Sequence, residues 1–118
     1  MVVQLESERG RIIVTDEAIA KIAGAATLEC YGLVGMASKN KLKDGIAELL
    51  RLENLGRGVD VHHEGDTLQV DLYVVVSYGT RISEVAHNIQ SVVKYVLNEI
   101  VGLHVSAVNI IVQGVRVS

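Results

Sequence analysis

The 118-residue chain contains no proline, no tryptophan and no phenylalanine, and its aromatic residues are four tyrosines. Without proline, every turn falls to Gly, Asn, Asp or Ser, and eleven glycines are available for it. Without Phe or Trp, the core must be aliphatic, and the sequence supplies 20 Val, 12 Leu and 10 Ile. Cys30 is the single cysteine, so no intrachain disulfide can form and a reducing compartment is the natural setting. Helical spacing puts Cys30 on an apolar face, which predicts a buried small hydrophobe and not a reactive thiol. Basic residues are also scarce. Eleven Lys+Arg against fourteen Asp+Glu give a net charge of −3, which argues against binding nucleic acid mainly by neutralising phosphates. Lys39, Lys41 and Lys43 form the one locally basic stretch, read as a solvated loop or helix start.

Long apolar runs are missing as well. The longest, Leu72 to Val76, is far below the ~20 residues of a membrane-spanning helix. Met1 to Glu6 has no basic region followed by an apolar core, position 2 is not Gly, and no prenylation box ends the chain. These features predict a cytoplasmic protein without direct membrane insertion, whose membrane association is peripheral or borrowed from a partner. With 49% hydrophobic and 21% charged residues, the composition is that of one globular domain over 1–118, with 1–8 expected to fray.

Ile12-Ile13-Val14 reads as a strand. Thr15 then caps a helix whose first turn holds Asp16 and Glu17, and whose apolar stripe is Ile19, Ile22, Ala23, Ala26 and Cys30, with Gly32 as the stop. A second helix is expected from about Asn40 to Leu52, followed by a polar loop over Asn54 to Gly58. Val59 and Val61 alternate with Asp60 and His62. Glu64-Gly65-Asp66 is a hairpin signal, and Thr67 to Ser77 is the return strand. A long amphipathic helix follows, with Ile82, Val85, Ile89, Val93, Val96, Leu97 and Ile100 on its stripe and Gly102 as its end. The last strand, Val105 to Val117, slips phase at Gly114, which predicts a bulge or bend. The order β-α-α-β-β-α-β predicts an α+β two-layer sandwich, a mostly antiparallel sheet with helices on one face. On the other face, Tyr73, Val75 and Ile111 would form an apolar stripe where another molecule could dock, or which loops could cover.

No catalytic or metal constellation is marked. His62 and His63 are neighbours on a strand and point to opposite faces, so they cannot jointly hold one ion in the ordinary way. His87 lies on the long helix, and His104 just past its end suits the negative end of the helix dipole. No Gly-x-Ser-x-Gly elbow and no phosphate loop is present. Neither a cofactor nor a metal is expected. Gly32-Leu33-Val34-Gly35 between two expected helices resembles the loop of KH modules, whose glycines let backbone approach nucleotides. Its central residues are apolar where RNA-binding members are generally polar or basic, and Tyr31 is the one aromatic nearby.

A second resemblance covers most of the chain. Gly10-Arg-Ile-Ile-Val-Thr-Asp-Glu-Ala-Ile-Ala-Lys-Ile-Ala-Gly-Ala-Ala26, Tyr31-Gly-Leu-Val-Gly-Met36, Val70-Asp-Leu-Tyr-Val-Val-Val-Ser-Tyr-Gly79, Ile82-Ser-Glu-Val-Ala-His-Asn-Ile-Gln90 and Gly102-Leu-His-Val-Ser-Ala-Val-Asn-Ile-Ile-Val-Gln-Gly-Val115 follow in this order. They are similar to the alkaline shock protein family of Gram-positive bacteria. Ser83 departs from the Pro common there, and Val101 from a common Thr. The resemblance implies a small cytoplasmic protein linked to envelope or alkaline stress. Some members gather at the membrane through a separate integral-membrane anchor protein, some self-assemble, and others are tied to fatty-acid metabolism. No catalytic residue is established in that family, so none carries over.

The sequence thus leads to a non-enzymatic interaction protein. It is expected to form a homo-oligomer and to dock on a protein partner, such as an integral-membrane anchor at the inner face of the membrane, with Tyr73, Val75 and Ile111 as its surface. One alternative is a KH-like RNA-binding module using Gly32, Gly35, Lys39, Lys41 and Lys43. A weaker one is a small-ligand carrier with a pocket between the long helix and the sheet.

Overall fold

Alternation of Val3 and Leu5 with Gln4 and Glu6 lets the first residues pair with the strand that follows. In the computed structural model, which describes residues 2–38 and 49–117, β1 (Val2–Ser7) and β2 (Gly10–Thr15) form an antiparallel ribbon. The expected fraying of 1–8 gives way to this strand because Val3 lies opposite Val14, and Leu5 opposite Ile12.

The Thr15 hydroxyl accepts the Ala18 N–H at 3.2 Å and opens α1 (Asp16–Leu28) with Asp16 and Glu17 in its first turn, as the sequence predicts. The helix ends at Leu28, before Gly32. Gly32 instead turns the chain at φ +84° into a four-residue strand, β3 (Leu33–Met36). Its carbonyl accepts the Ser77 N–H at 3.0 Å, and the Ala37 N–H reaches the Tyr73 carbonyl at 2.9 Å. The apolar connector of the sequence reading is thus a strand, made so by long-range pairing. Most of the expected second helix falls outside the described residues. At its far end, Leu49 bridges Ala37 and the Leu50 N–H donates to the Met36 carbonyl at 2.8 Å, both in extended pairing. A 3-10 helix kinked at Asn54 occupies Leu52–Gly58, where a polar loop was expected.

β4 (Val59–Glu64) and β5 (Thr67–Ser77) form the predicted hairpin, with Glu64 opposite Thr67. β5 is the central strand. β4 pairs with its first half and β3 with its second half, both antiparallel, while β6 (Val105–Arg116) runs parallel to it. A parallel pair needs a long crossover. α2 (Ile82–Tyr95) supplies it, continuing through a wider π turn over Val96–Val101 to Gly102 at φ +88°. The phase slip read at Gly114 is a register shift: Val74 pairs with Val112 but Val75 with Gly114. The architecture is α+β with helices on one face of a mostly antiparallel sheet.

Leu68, Val70, Leu72, Val74 and Val76 of β5 face the helices and are all buried. Ile19 and Ala23 of α1 meet them, as do Val85, Ile89, Val93 and Leu97 of α2. Ile82 and Ile100, expected on the α2 stripe, are exposed; the wider last turn carries Ile100 off the 3.6-residue period. Gln90 Nε2 donates to the Val108 carbonyl at 3.0 Å, and the Val105 N–H donates to Asn98 Oδ1 at 2.8 Å, fixing α2 to β6.

Candidate functional site on the outer sheet face

Side chains alternate along each strand, so the face turned away from the helices carries Asp60 and His62 of β4, Asp71, Tyr73 and Val75 of β5, and Asn109 and Ile111 of β6. Tyr73 and Ile111 are register partners, as the proposed stripe requires. Both are half-buried, and Val75 is only 3% exposed. Val75 pairs with Gly35, and a Cβ at Gly35 would lie 3.2 Å from Leu49 Cδ2. The chain at Leu49 therefore packs over this end of the face. Val75 belongs to a covered patch and not to a bare docking stripe.

The other end of the face is polar. Asp60 and Asp71 are direct cross-strand partners, and His62 follows Asp60 by two residues, hence on the same side. His62 Nε2 lies 2.9 Å from Asp71 Oδ2, and Asn109 Nδ2 donates to Asp71 Oδ1 at 2.8 Å. The Tyr73 hydroxyl donates to Asp60 Oδ2 at 3.4 Å. Ligand-type atoms of Asp60, His62 and Asp71 all lie within 4.8 Å of one another. Sequence reasoning missed this group because it weighed His62 against its neighbour His63. The signal was there in combination: a hairpin turning at Gly65 sets Asp71 opposite Asp60. His63, on the inner side, meets Asp16 Oδ1 at 2.7 Å and ties β4 to the start of α1. His87 and His104 are exposed and outside this cluster.

The Gly32–Gly35 stretch is not a loop between helices but the entry to β3, which removes the geometric premise of the KH likeness. Packing accounts for both glycines. Gly32 has a positive φ and sits where a Cβ would come within 2.6 Å of Val85 Cγ2, and Gly35 faces Leu49. Lys39, Lys41 and Lys43 lie outside the described residues. Cys30 is buried, as its spacing predicts; burial, and secondarily the charge of Glu29, pushes its thiol pKa up. A cleft of about 870 Å³ lies among α1, the 3-10 helix and β4, away from α2. Lys21 and Arg57 line it with Asp16, Glu17, Glu53 and Asp60.

The ribbon provides a second surface. Val3, Leu5, Ile12 and Val14 share one side of it. Val3 and Val14 pack against the core, whereas Ile12 is 59% exposed.

The model of the alkaline shock protein family, described as having a cell envelope-related function, matches residues 4–117. The chain belongs to the alkaline shock protein family. The resemblance read from the quoted segments thus extends over nearly the whole sequence. Chains similar to this one include "Uncharacterized protein YloU" of Bacillus subtilis, 55% identical over 100% of this chain and 98% of that protein. "Uncharacterized protein Spy1614" of Streptococcus pyogenes serotype M6 is 43% identical over 99% of this chain and 97% of that one. "Uncharacterized protein YqhY" of Bacillus subtilis is 29% identical over 94% and 81% respectively. No solved structure matches. Among the described residues of this alkaline shock family chain, no helix is long and apolar enough to cross a membrane.

Proposed function

We propose that this alkaline shock family protein works without catalysis, as a cell-envelope-related interaction module that self-associates and docks on a protein partner. The partner in this reading is an integral-membrane anchor that recruits the protein from the cytoplasm to the inner face of the membrane. The observation that carries the reading is the β1–β2 ribbon. Its aliphatic side begins on the core at Val3 and Val14 and continues outward to the Leu5–Ile12 pair, where Ile12 is left largely in water. Covering an aliphatic side chain of this size stabilises by about 1.5–3 kcal/mol. Ribbon edges also offer unpaired N–H and C=O groups to an added strand. Tyr73 and Ile111, side by side on the outer sheet face, form a second, smaller part of the proposed surface.

Size-exclusion chromatography with light scattering tests this directly. The unmodified protein should run above monomer mass. Leu5→Glu combined with Ile12→Glu should lower that mass and leave the circular dichroism spectrum unchanged. A wild-type monomer at high concentration would remove the self-association part. Capture of membrane proteins from the native host by wild type, lost with the double variant, tests the docking part.

A further inference from the structure

We propose that Asp60, His62 and Asp71 form a binding site for a first-row divalent metal ion of the Zn²⁺ or Mn²⁺ class on the outer sheet face. Three kinds of observation carry it. The first is the donor set: one imidazole and two carboxylates, in which the imidazole suits borderline Zn²⁺ and the carboxylates suit Zn²⁺ and the harder Mn²⁺, whereas Ca²⁺ and Mg²⁺ prefer oxygen alone. The second is the geometry. All three donors come from a paired hairpin whose register holds Asp60 opposite Asp71, with His62 two residues along on the same face. Their ligand-type atoms lie within 4.8 Å of one another. Ligands bound at ~2.1 Å sit about 3.4 Å apart in the tetrahedral coordination of Zn²⁺, and about 3.0 Å apart at neighbouring corners of an octahedron. His62 Nε2 and Asp71 Oδ2 are in direct hydrogen-bond contact at 2.9 Å, so a small outward rotation of His62 brings the pair to either spacing. The third is the surrounding support. Asn109 Nδ2 holds the other oxygen of Asp71 at 2.8 Å, and the Tyr73 hydroxyl holds Asp60 at 3.4 Å. Metal-binding carboxylates are commonly oriented by such outer partners.

The cluster spans strands that a sheet already fixes, so binding needs only side-chain rotation. The His62 side chain, 52% exposed, has room for it, and the Asp71 side chain, 20% exposed, is already oriented. An ion would replace the direct His62–Asp71 contact with two metal bonds, and water would fill the outward positions.

Isothermal titration of the purified chain with ZnCl₂, and separately with MnCl₂, tests the proposal, with CaCl₂ as the oxygen-preferring comparison. One equivalent of Zn²⁺ or Mn²⁺ should bind. His62→Ala and Asp71→Asn should each weaken it by roughly tenfold or more, and His104→Ala should not. Mn²⁺ should broaden amide NMR signals of residues 60–62, 71 and 109 first. His62→Ala changes an exposed side chain, so its result stands even if Asp71→Asn perturbs the sheet. Three results would overturn the proposal: no binding of either ion, binding indifferent to both variants, or Ca²⁺ binding as tightly as Zn²⁺ and insensitive to His62→Ala.

Discussion

Cys30 shows how far one side chain can be read from its spacing. It falls eleven residues after Ile19, in phase with the α1 stripe but two residues past the helix end, and the structure buries it, its thiol 3.7 Å from the Ala26 carbonyl. Burial raises its pKa first, and the Glu29 carboxylate adds to that by disfavouring a second negative charge. The thiolate is the reactive form, so both effects reduce the reactive fraction at any given pH. Folded protein should therefore react with a disulfide reagent such as DTNB far more slowly than an exposed thiol, with its pH–rate curve displaced to higher pH. Denaturant should abolish both differences. Fast labelling of the native state at neutral pH would contradict the burial. The same logic could not foresee the fate of Val75. Its alternation on β5 was legible, but its burial was not: Leu49, twenty-six residues earlier, packs against its register partner Gly35, and single-strand patterns carry no information about such neighbours.

Elements were legible where a repeated pattern or a turn signal marked them. The 3.6-residue period located α2, the Glu64-Gly65-Asp66 turn signal between alternating runs located the β4–β5 hairpin, and the phase slip at Gly114 located the β6 bulge. β3 has four residues and β1 six, and each exists because a partner strand satisfies its backbone. The 3-10 helix is equally dependent on neighbours: a Cβ at Gly24 of α1 would lie 3.2 Å from Leu55 Cβ, so helix and turn meet at close range. The Asp60–His62–Asp71 group needed two elements combined, which is why residue-by-residue scanning passed over it. Gly32 marks the junction where α1 gives way to β3, and it meets two constraints at once. Its φ of +84° suits glycine, and Val85 of α2 leaves no room for a methyl group. Gly32→Ala should destabilise the fold by about 1–3 kcal/mol, read as a lower urea midpoint with an unchanged slope. A nucleotide-approach role for this glycine would instead predict an unaltered midpoint.

At the level of the whole molecule, two surfaces differ in what they can build. A single self-complementary patch closes into a two-fold dimer, whereas assembly beyond a dimer requires a second, distinct patch. In the proposed function the ribbon and the outer sheet face, which lie on separate sheets, would supply two such patches. Two substitutions on the sheet face separate its structural role from the associative role proposed for it. Val75 is 3% exposed, so Val75→Glu buries an unpaired charge and should cost about 3–5 kcal/mol, a large share of a total near 5–15 kcal/mol. That variant should lose cooperative unfolding or show a much lower Tm. Ile111, half-buried beside Tyr73 near the strand's bulge, can turn a glutamate toward water. Ile111→Glu should keep the native spectrum and a Tm close to wild type, yet lower the assembled mass measured by light scattering to that of a ribbon-mediated dimer. Adding Leu5→Glu and Ile12→Glu should then yield monomer. If Ile111→Glu leaves the mass unchanged while the ribbon pair alone gives monomer, the outer sheet face takes no part in assembly and is left free for the metal ion.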